Sequence, residues 1–193
     1  MAEPRENPYI YVTWLTKLIA GESQCAWASW FKAHHTYDKL PSDFNTAKWT
    51  ADHNSLLLRR KEELVQKGYE VFTEDQNKFT LQSKTGISLG GKADIVALND
   101  TTACVEDAKT GSPKNSDHIQ VIIYMMVLPL AIPRYKDRKF DGRIVYKNNI
   151  VDIPHKALDE AFKERFKIMI QKIGGIGGTD NVRKVPSWGE CRW

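Results

Sequence analysis

Two kinds of apolar spacing alternate along the chain and predict its secondary structure. Spacings of three and four residues predict helices over about 9–19, 22–31, 52–67, 116–128 and 158–173. A two-residue period predicts strands near 69–72, 79–81, 87–98 and 103–109, joined as a meander, and a hairpin of 143–146 with 150–153. This mixture of elements predicts an α/β or α+β fold with a central mixed β-sheet flanked by helices.

Length and composition indicate a single folded domain. With 193 residues, of which 41% are hydrophobic, the chain is long enough to bury a core. We expect one domain over 1–193, with N-terminal helices over about 8–35 and a short irregular tail over 174–193.

The net charge of +4 is too small to predict a nucleic-acid partner by itself. No apolar run reaches the roughly 20 residues of a membrane span, and no secretion signal is visible, so we expect a cytoplasmic protein without a membrane partner.

Two carboxylates and a lysine fall on predicted strands in an order that suits metal-dependent hydrolysis. Asp94 follows Gly91-Lys92-Ala93, and strand alternation places Asp107 and Lys109 on one face. Carboxylate oxygens bind hard divalent cations, and a neighbouring ammonium orients water and stabilises negative charge. Each feature also has an ordinary interpretation: Asp94 as a turn residue, and Asp107 with Lys109 as a surface ion pair.

Three further side chains are candidates for the same site. Gln120 and Tyr124 are four residues apart on a predicted helix and therefore share a face. His53, predicted in the first turn of its helix, carries an imidazole that binds metal ions. In the alternative interpretation, Tyr124 belongs to the core, Gln120 is solvated and His53 is a surface or capping residue.

Together, Gly-x-x-Asp, a short hairpin, Asp-x-Lys-Thr-Gly and then Gln-x-x-x-Tyr resemble the RecB-like nucleases of the PD-(D/E)XK superfamily, including the CRISPR-associated exonucleases of that type. The resemblance is close over 53–124 and loose elsewhere. It implies a restriction-endonuclease-like core, a Mg²⁺ or Mn²⁺ site, and exonuclease activity that hydrolyses the phosphodiester bonds of DNA, single-stranded DNA included. DNA repair, recombination, phage replication and CRISPR DNA processing are all settings that the resemblance allows, with a helicase or recombination complex as a partner.

The resemblance also assigns roles to individual residues. His53, Asp94, Asp107 and the backbone carbonyl of Ala108 would hold the metal, and Lys109 would orient the attacking water. Gln120 and Tyr124 would contact the DNA strand or order the lysine.

Cysteines raise the question of an iron–sulfur cluster. Many similar nucleases carry a [4Fe-4S] cluster bound by one N-terminal and three C-terminal cysteines, and Cys25 and Cys191 lie at the corresponding ends of this chain. A cluster normally needs four thiolates, so the pattern is incomplete here. Two inert cysteines are the alternative, and Cys104 is expected to fill core.

Two other functions remain open from the sequence. One is a catalytically silent nucleic-acid-binding module that serves a helicase or recombination complex. The other is a metal-dependent hydrolase of a different phosphate ester. The Asp107-Lys109 spacing and the Gln120/Tyr124 pair favour the nuclease.

Overall fold

The computed structural model describes residues 2–38, 45–176, 182, 184 and 185, which form an α+β fold. Two compact units divide the chain. The first comprises Met1–Leu40, Thr80–Gly91 and Asp159–Trp193, and the second comprises Pro41–Phe79 and Lys92–Leu158. The expectation of one domain over 1–193 stays a prediction.

The described helices largely follow the predicted apolar periods. They are α1 (Val12–Ile19), α2 (Ala26–His34), α3 (Thr46–Gln66), α4 (Asn115–Ala131) and α5 (Glu160–Ile173). The predicted start of α3 near residue 52 is wrong, because the Asn45 side chain accepts a hydrogen bond from Lys48 N (2.9 Å) and caps the helix earlier. His53 is therefore the eighth residue of α3 and lies outside the first turn.

The second unit is built on a five-stranded mixed sheet in the order β10-β9-β8-β7-β4. Its strands are β4 (Glu70–Thr73), β7 (Ile95–Leu98), β8 (Ala103–Lys109), β9 (Phe140–Tyr146) and β10 (Ile150–Ile153). β8 and β9 are parallel, whereas the other neighbours are antiparallel. The predicted hairpin of β9 with β10 is confirmed.

Helices α3 and α4 cover opposite faces of this sheet. Leu56, Leu57 and Leu64 of α3 form a hydrophobic cluster with Ala108 of β8. Gln120 of α4 instead binds Asp107, the preceding strand residue. Because neighbouring strand residues point to opposite faces, β8 is sandwiched between the two helices.

The predicted meander is wrong, because the strands divide between two sheets. β5 (Lys78–Gln82) and β6 (Ser88–Lys92) join β2 (Tyr9–Tyr11) in the order β2-β6-β5. β2 runs parallel to β6 and lies next to Gly90, where a Cβ would clash with the Tyr9 hydroxyl oxygen. The strand at 9–11 replaces the start of the first predicted helix.

The first unit contains helices α1, α2 and α5, which contact one another. It also contains the short antiparallel strand pair of β1 (Glu3–Pro4) with β3 (His35–Thr36). His34 Nε2 lies 3.0 Å from the Ile173 carbonyl and joins α2 to the end of α5. None of the described helices is long and apolar enough to cross a membrane.

Candidate active site

Asp94 lies immediately before β7, where its carboxylate reaches both β8 and α3. Its Oδ2 accepts a hydrogen bond from Ala108 N (2.8 Å). The same oxygen lies 3.3 Å from His53 Nε2. His53 is 9% exposed and stacks on the Trp49 ring with centroids 5.2 Å apart. The structure therefore brings two predicted metal ligands into direct contact.

The backbone before Asp94 is held in place by three different donors. The consecutive carbonyls of residues 92–94 accept hydrogen bonds from Tyr124 Oη (3.0 Å), Asn77 Nδ2 (3.2 Å) and Glu74 N (2.9 Å), in that order. Asn77 is fully buried, and its Oδ1 accepts a hydrogen bond from the Tyr135 hydroxyl at 2.6 Å. Glu74 has a φ of 41°, a left-handed conformation that is costly for a residue with a Cβ. This segment is therefore preorganised.

Asp107, on the α4 face of β8, is 1% exposed. Its Oδ1 accepts a hydrogen bond from Gln120 Nε2 (2.8 Å), and its Oδ2 forms an ion pair with Lys109 Nζ at 2.6 Å. Among the described residues, no second donor reaches Oδ2, which has the Lys109 ammonium as its one partner. A buried carboxylate needs a positive partner, which the Lys109 ammonium provides here and a metal cation would also provide.

Gln120 and Tyr124 share one face of α4, as predicted, but they contact different parts of the site. Gln120 bridges the other two groups, since its Oε1 accepts from Lys109 Nζ (3.0 Å) while its Nε2 donates to Asp107. Tyr124 is 2% exposed, and its hydroxyl holds the Lys92 carbonyl. Gln120 thus orders the lysine, whereas contact of either residue with DNA stays a prediction.

The charges in this region perturb one another. Burial raises the pKa of Asp107, and Lys109 offsets only part of that effect. Burial works to lower the pKa of Lys109, but its pairing with Asp107 outweighs burial and raises that pKa overall. The hydrogen bond with Asp94 raises the pKa of His53. Perturbed titratable groups of this kind are concentrated at functional sites.

The donor set fits a small divalent cation in part. Among the described residues, no three His, Cys, Asp or Glu side chains form a group able to hold a metal. However, Mg²⁺ typically uses one or two carboxylates and completes its shell with water and phosphate oxygens. The His53–Asp94 separation of 3.3 Å is also close to the roughly 3 Å between neighbouring ligands of an octahedral ion.

The predicted cysteine ligands are not brought together by the described residues. Cys25 directly precedes α2, is 6% exposed and forms no disulfide with another described cysteine. Cys191 lies outside the described residues. Cys104 is 5% exposed, which confirms its expected place in the core. The iron–sulfur cluster stays a prediction.

The sequence analysis did not find four buried polar residues that hold the segments carrying the site in place. They are Asn77, Tyr135, Arg60 and Glu106, all buried. Only Glu106 could have been found from the sequence. Strand alternation directs its side chain to the sheet face that α3 covers, and a carboxylate at such a position needs a buried partner. The others read as ordinary loop or helix positions.

Comparison with models of known families finds no match, and comparison with curated proteins finds none either. Among solved structures, the chain is similar to the crystal structure of SSO0001. The two share 17% sequence identity with a TM-score of 0.44, over 88% of this chain and 78% of that one. A likeness of this size carries no conclusion about function.

Proposed function

We propose that the chain is a Mg²⁺- or Mn²⁺-dependent nuclease of the RecB-like branch of the PD-(D/E)XK superfamily, which hydrolyses DNA phosphodiesters. The observation that carries the proposal is the state of Asp107. This carboxylate is buried, its Oδ2 is paired with the Lys109 ammonium alone, and its strand also carries Ala108, whose N–H binds Asp94. Asp94 in turn contacts His53, so two further candidate ligands lie next to this strand.

The protein ligands of the cation would be His53, Asp94, Asp107 and the Ala108 carbonyl. When bound, the cation polarises the scissile phosphate and stabilises the leaving oxygen. Asp107 would supply Oδ2, and Asp94 is presented by a backbone that three donors fix. The fixed backbone limits rearrangement at Asp94, whereas Asp107 Oδ2 would exchange the Lys109 ammonium for the cation.

Lys109 orients the attacking water and stabilises the developing charge. Its raised pKa keeps the ammonium protonated near neutral pH, so the side chain donates hydrogen bonds and does not act as the base. Gln120 accepts one of the three protons of Lys109 and Asp107 faces a second, which leaves one for water or phosphate. With 25% of its side chain exposed, Lys109 is reachable by substrate.

The proposal extends to the biological setting only in outline. A nuclease of this kind acts in DNA repair, recombination, or phage or CRISPR DNA processing, together with a helicase or recombination partner. The chemistry of the site is the same in each setting, so DNA cleavage itself is the property to measure first.

The test is digestion of end-labelled single-stranded and double-stranded DNA with Mg²⁺ or Mn²⁺. We expect cleavage by the wild type, and loss of it with EDTA, in Asp107→Ala and in Lys109→Ala. Asp152→Ala is a matched control, because this exposed aspartate pairs with Arg143 on the sheet. Absence of cleavage by folded, metal-loaded wild type would favour the catalytically silent binding module instead.

A further inference from the structure

A buried ion pair links α3 to the strand that carries Asp107. Arg60 donates from Nε to Glu106 Oε2 (2.6 Å) and from Nη2 to Glu106 Oε1 (2.8 Å). The two residues are 4% and 1% exposed. Arg143 Nη1 of β9 also donates to Oε1 (3.1 Å), and Arg60 Nη1 donates to Glu63 (2.7 Å). Every polar atom of the Glu106 carboxylate therefore has a partner.

Stability alone does not explain this pair. Burying two charges costs much of what their attraction returns, and apolar residues of similar volume often serve equally well. What a bidentate guanidinium–carboxylate pair adds is direction, because its two parallel bonds form in one relative position only. The surrounding contacts of Leu56, Leu57 and Leu64 with the sheet are apolar and do not specify such a position.

The pair stands in a fixed geometric relation to the candidate metal ligands. His53 precedes Arg60 by seven residues, which is two helical turns, or roughly 10 Å, on nearly the same face of α3. On β8, Glu106 lies two residues before Ala108, whose N–H binds Asp94. Arg60 therefore meets Glu106 two turns from where His53 meets Asp94.

We propose that the Arg60–Glu106 pair sets the register of α3 on β8 and thereby positions His53 beside Asp94. Arg60 and Glu106 are positioning residues and do not touch substrate or metal. A slip of one helical turn would move His53 by about 5.4 Å, which its 3.3 Å contact with Asp94 does not tolerate. The link to metal binding rests on the proposed function, whereas the placement of His53 does not.

The first test measures the placement of His53 without any metal. Diethyl pyrocarbonate labelling, read by peptide mass spectrometry, reports the reactivity of His53, and the exposed His155 serves as an internal reference. We expect slow labelling of His53 in the wild type. In the apolar double variant Arg60→Met/Glu106→Leu, folded with little change in Tm, we expect it to rise several-fold relative to His155.

A second measurement on the same folded variants is Mn²⁺ affinity. Loss of a group that orients a metal ligand weakens affinity by about 10- to 100-fold, and we expect a loss of that order in the double variant. The matched control is Arg143→Met, which removes another arginine from Glu106 but lies on β9 and cannot shift α3. We expect it to retain both slow labelling and metal affinity.

Arg60→Lys keeps the charge but not the bidentate geometry, and it serves if the double variant does not fold. We expect its His53 labelling to lie above that of the wild type. The inference would be overturned if His53 were labelled as slowly in every folded Arg60 variant as in the wild type. It would also be overturned if His53 and His155 were labelled equally fast in the wild type. Failure of the wild type to bind Mn²⁺ would instead count against the proposed function, because the labelling result decides the register separately.

Discussion

Replacing Asp107 by asparagine is expected to stabilise the metal-free protein while abolishing its activity. Burial raises the pKa of Asp107 from 3.8 to about 7 even with Lys109 beside it. The surroundings therefore disfavour the charged carboxylate relative to the unfolded chain. The introduced asparagine keeps an oxygen for the Gln120 Nε2 hydrogen bond, and Lys109 is exposed enough to turn to water.

The size of the effect follows from the pKa shift. Each pKa unit corresponds to about 1.4 kcal/mol, so a shift from 3.8 to about 7 gives a ceiling of about 4 kcal/mol. A buried asparagine amide beside an ammonium costs about 1–3 kcal/mol of this. The variant also loses the pairing that raises the pKa of Lys109, which offsets part of the remainder, so we expect the free energy of unfolding to increase by on the order of 1 kcal/mol above neutral pH.

The pH dependence of the gain has a definite sign. Between pH 3.8 and about 7, Asp107 holds more of its proton in the folded wild type than in the unfolded chain, so the contribution of this residue to stability falls as pH rises through this window. The asparagine side chain of the variant does not titrate, and the gain should therefore grow over the same window and level off above it. Saturating Mn²⁺ should stabilise the wild type alone.

Urea unfolding in EDTA across this pH range measures the difference, with Asp152→Asn as a control for loss of an exposed carboxylate. A conventional structural ion pair predicts the reverse, because removing one partner of a buried pair typically costs about 3–5 kcal/mol. A destabilised Asp107→Asn variant with no pH-dependent gain would refute the view that Asp107 is held for a cation.

Three further predictions follow from contacts of the described residues. Gln120→Leu should lower kcat for DNA cleavage by about 10- to 100-fold with little change in Tm, because it frees Lys109 but keeps the helix intact. Asn77→Ala should lower the free energy of unfolding by at least about 2 kcal/mol in urea titrations, because it leaves the Tyr135 hydroxyl and two carbonyls without this partner. Burial lowers the pKa of His34, so this residue binds its proton more readily in the unfolded chain, and its contribution to stability should fall as pH drops below 6.5; His34→Gln should remove this contribution in urea titrations across that pH range.

The parts of the site that sequence reasoning predicted are those set by local periods. β8 runs over Ala103–Lys109 as expected, so strand alternation alone placed Asp107 and Lys109 on one face. The four-residue spacing of Gln120 and Tyr124 likewise put both on one face of α4. These features depend on neighbours in the chain and need no tertiary information.

The features that were missed depend on distant contacts. Asn45 reads as a loop residue, and only its hydrogen bond with Lys48 N shows that it caps α3. Division of the strands between two sheets depends on which edges pair, as in β2 with β6, about 80 residues apart. Arg60 reads as a solvated helix position, because its partner Glu106 lies 46 residues away.

The most direct test of the central claim is anomalous diffraction from Mn²⁺-soaked crystals. We predict a peak about 2.2 Å from carboxylate oxygens of Asp94 and Asp107, close to His53 and lost in Asp107→Ala. Absence of a peak beside these carboxylates in saturating Mn²⁺, or binding only elsewhere on the chain, would contradict the assignment of this site as a metal-dependent active centre.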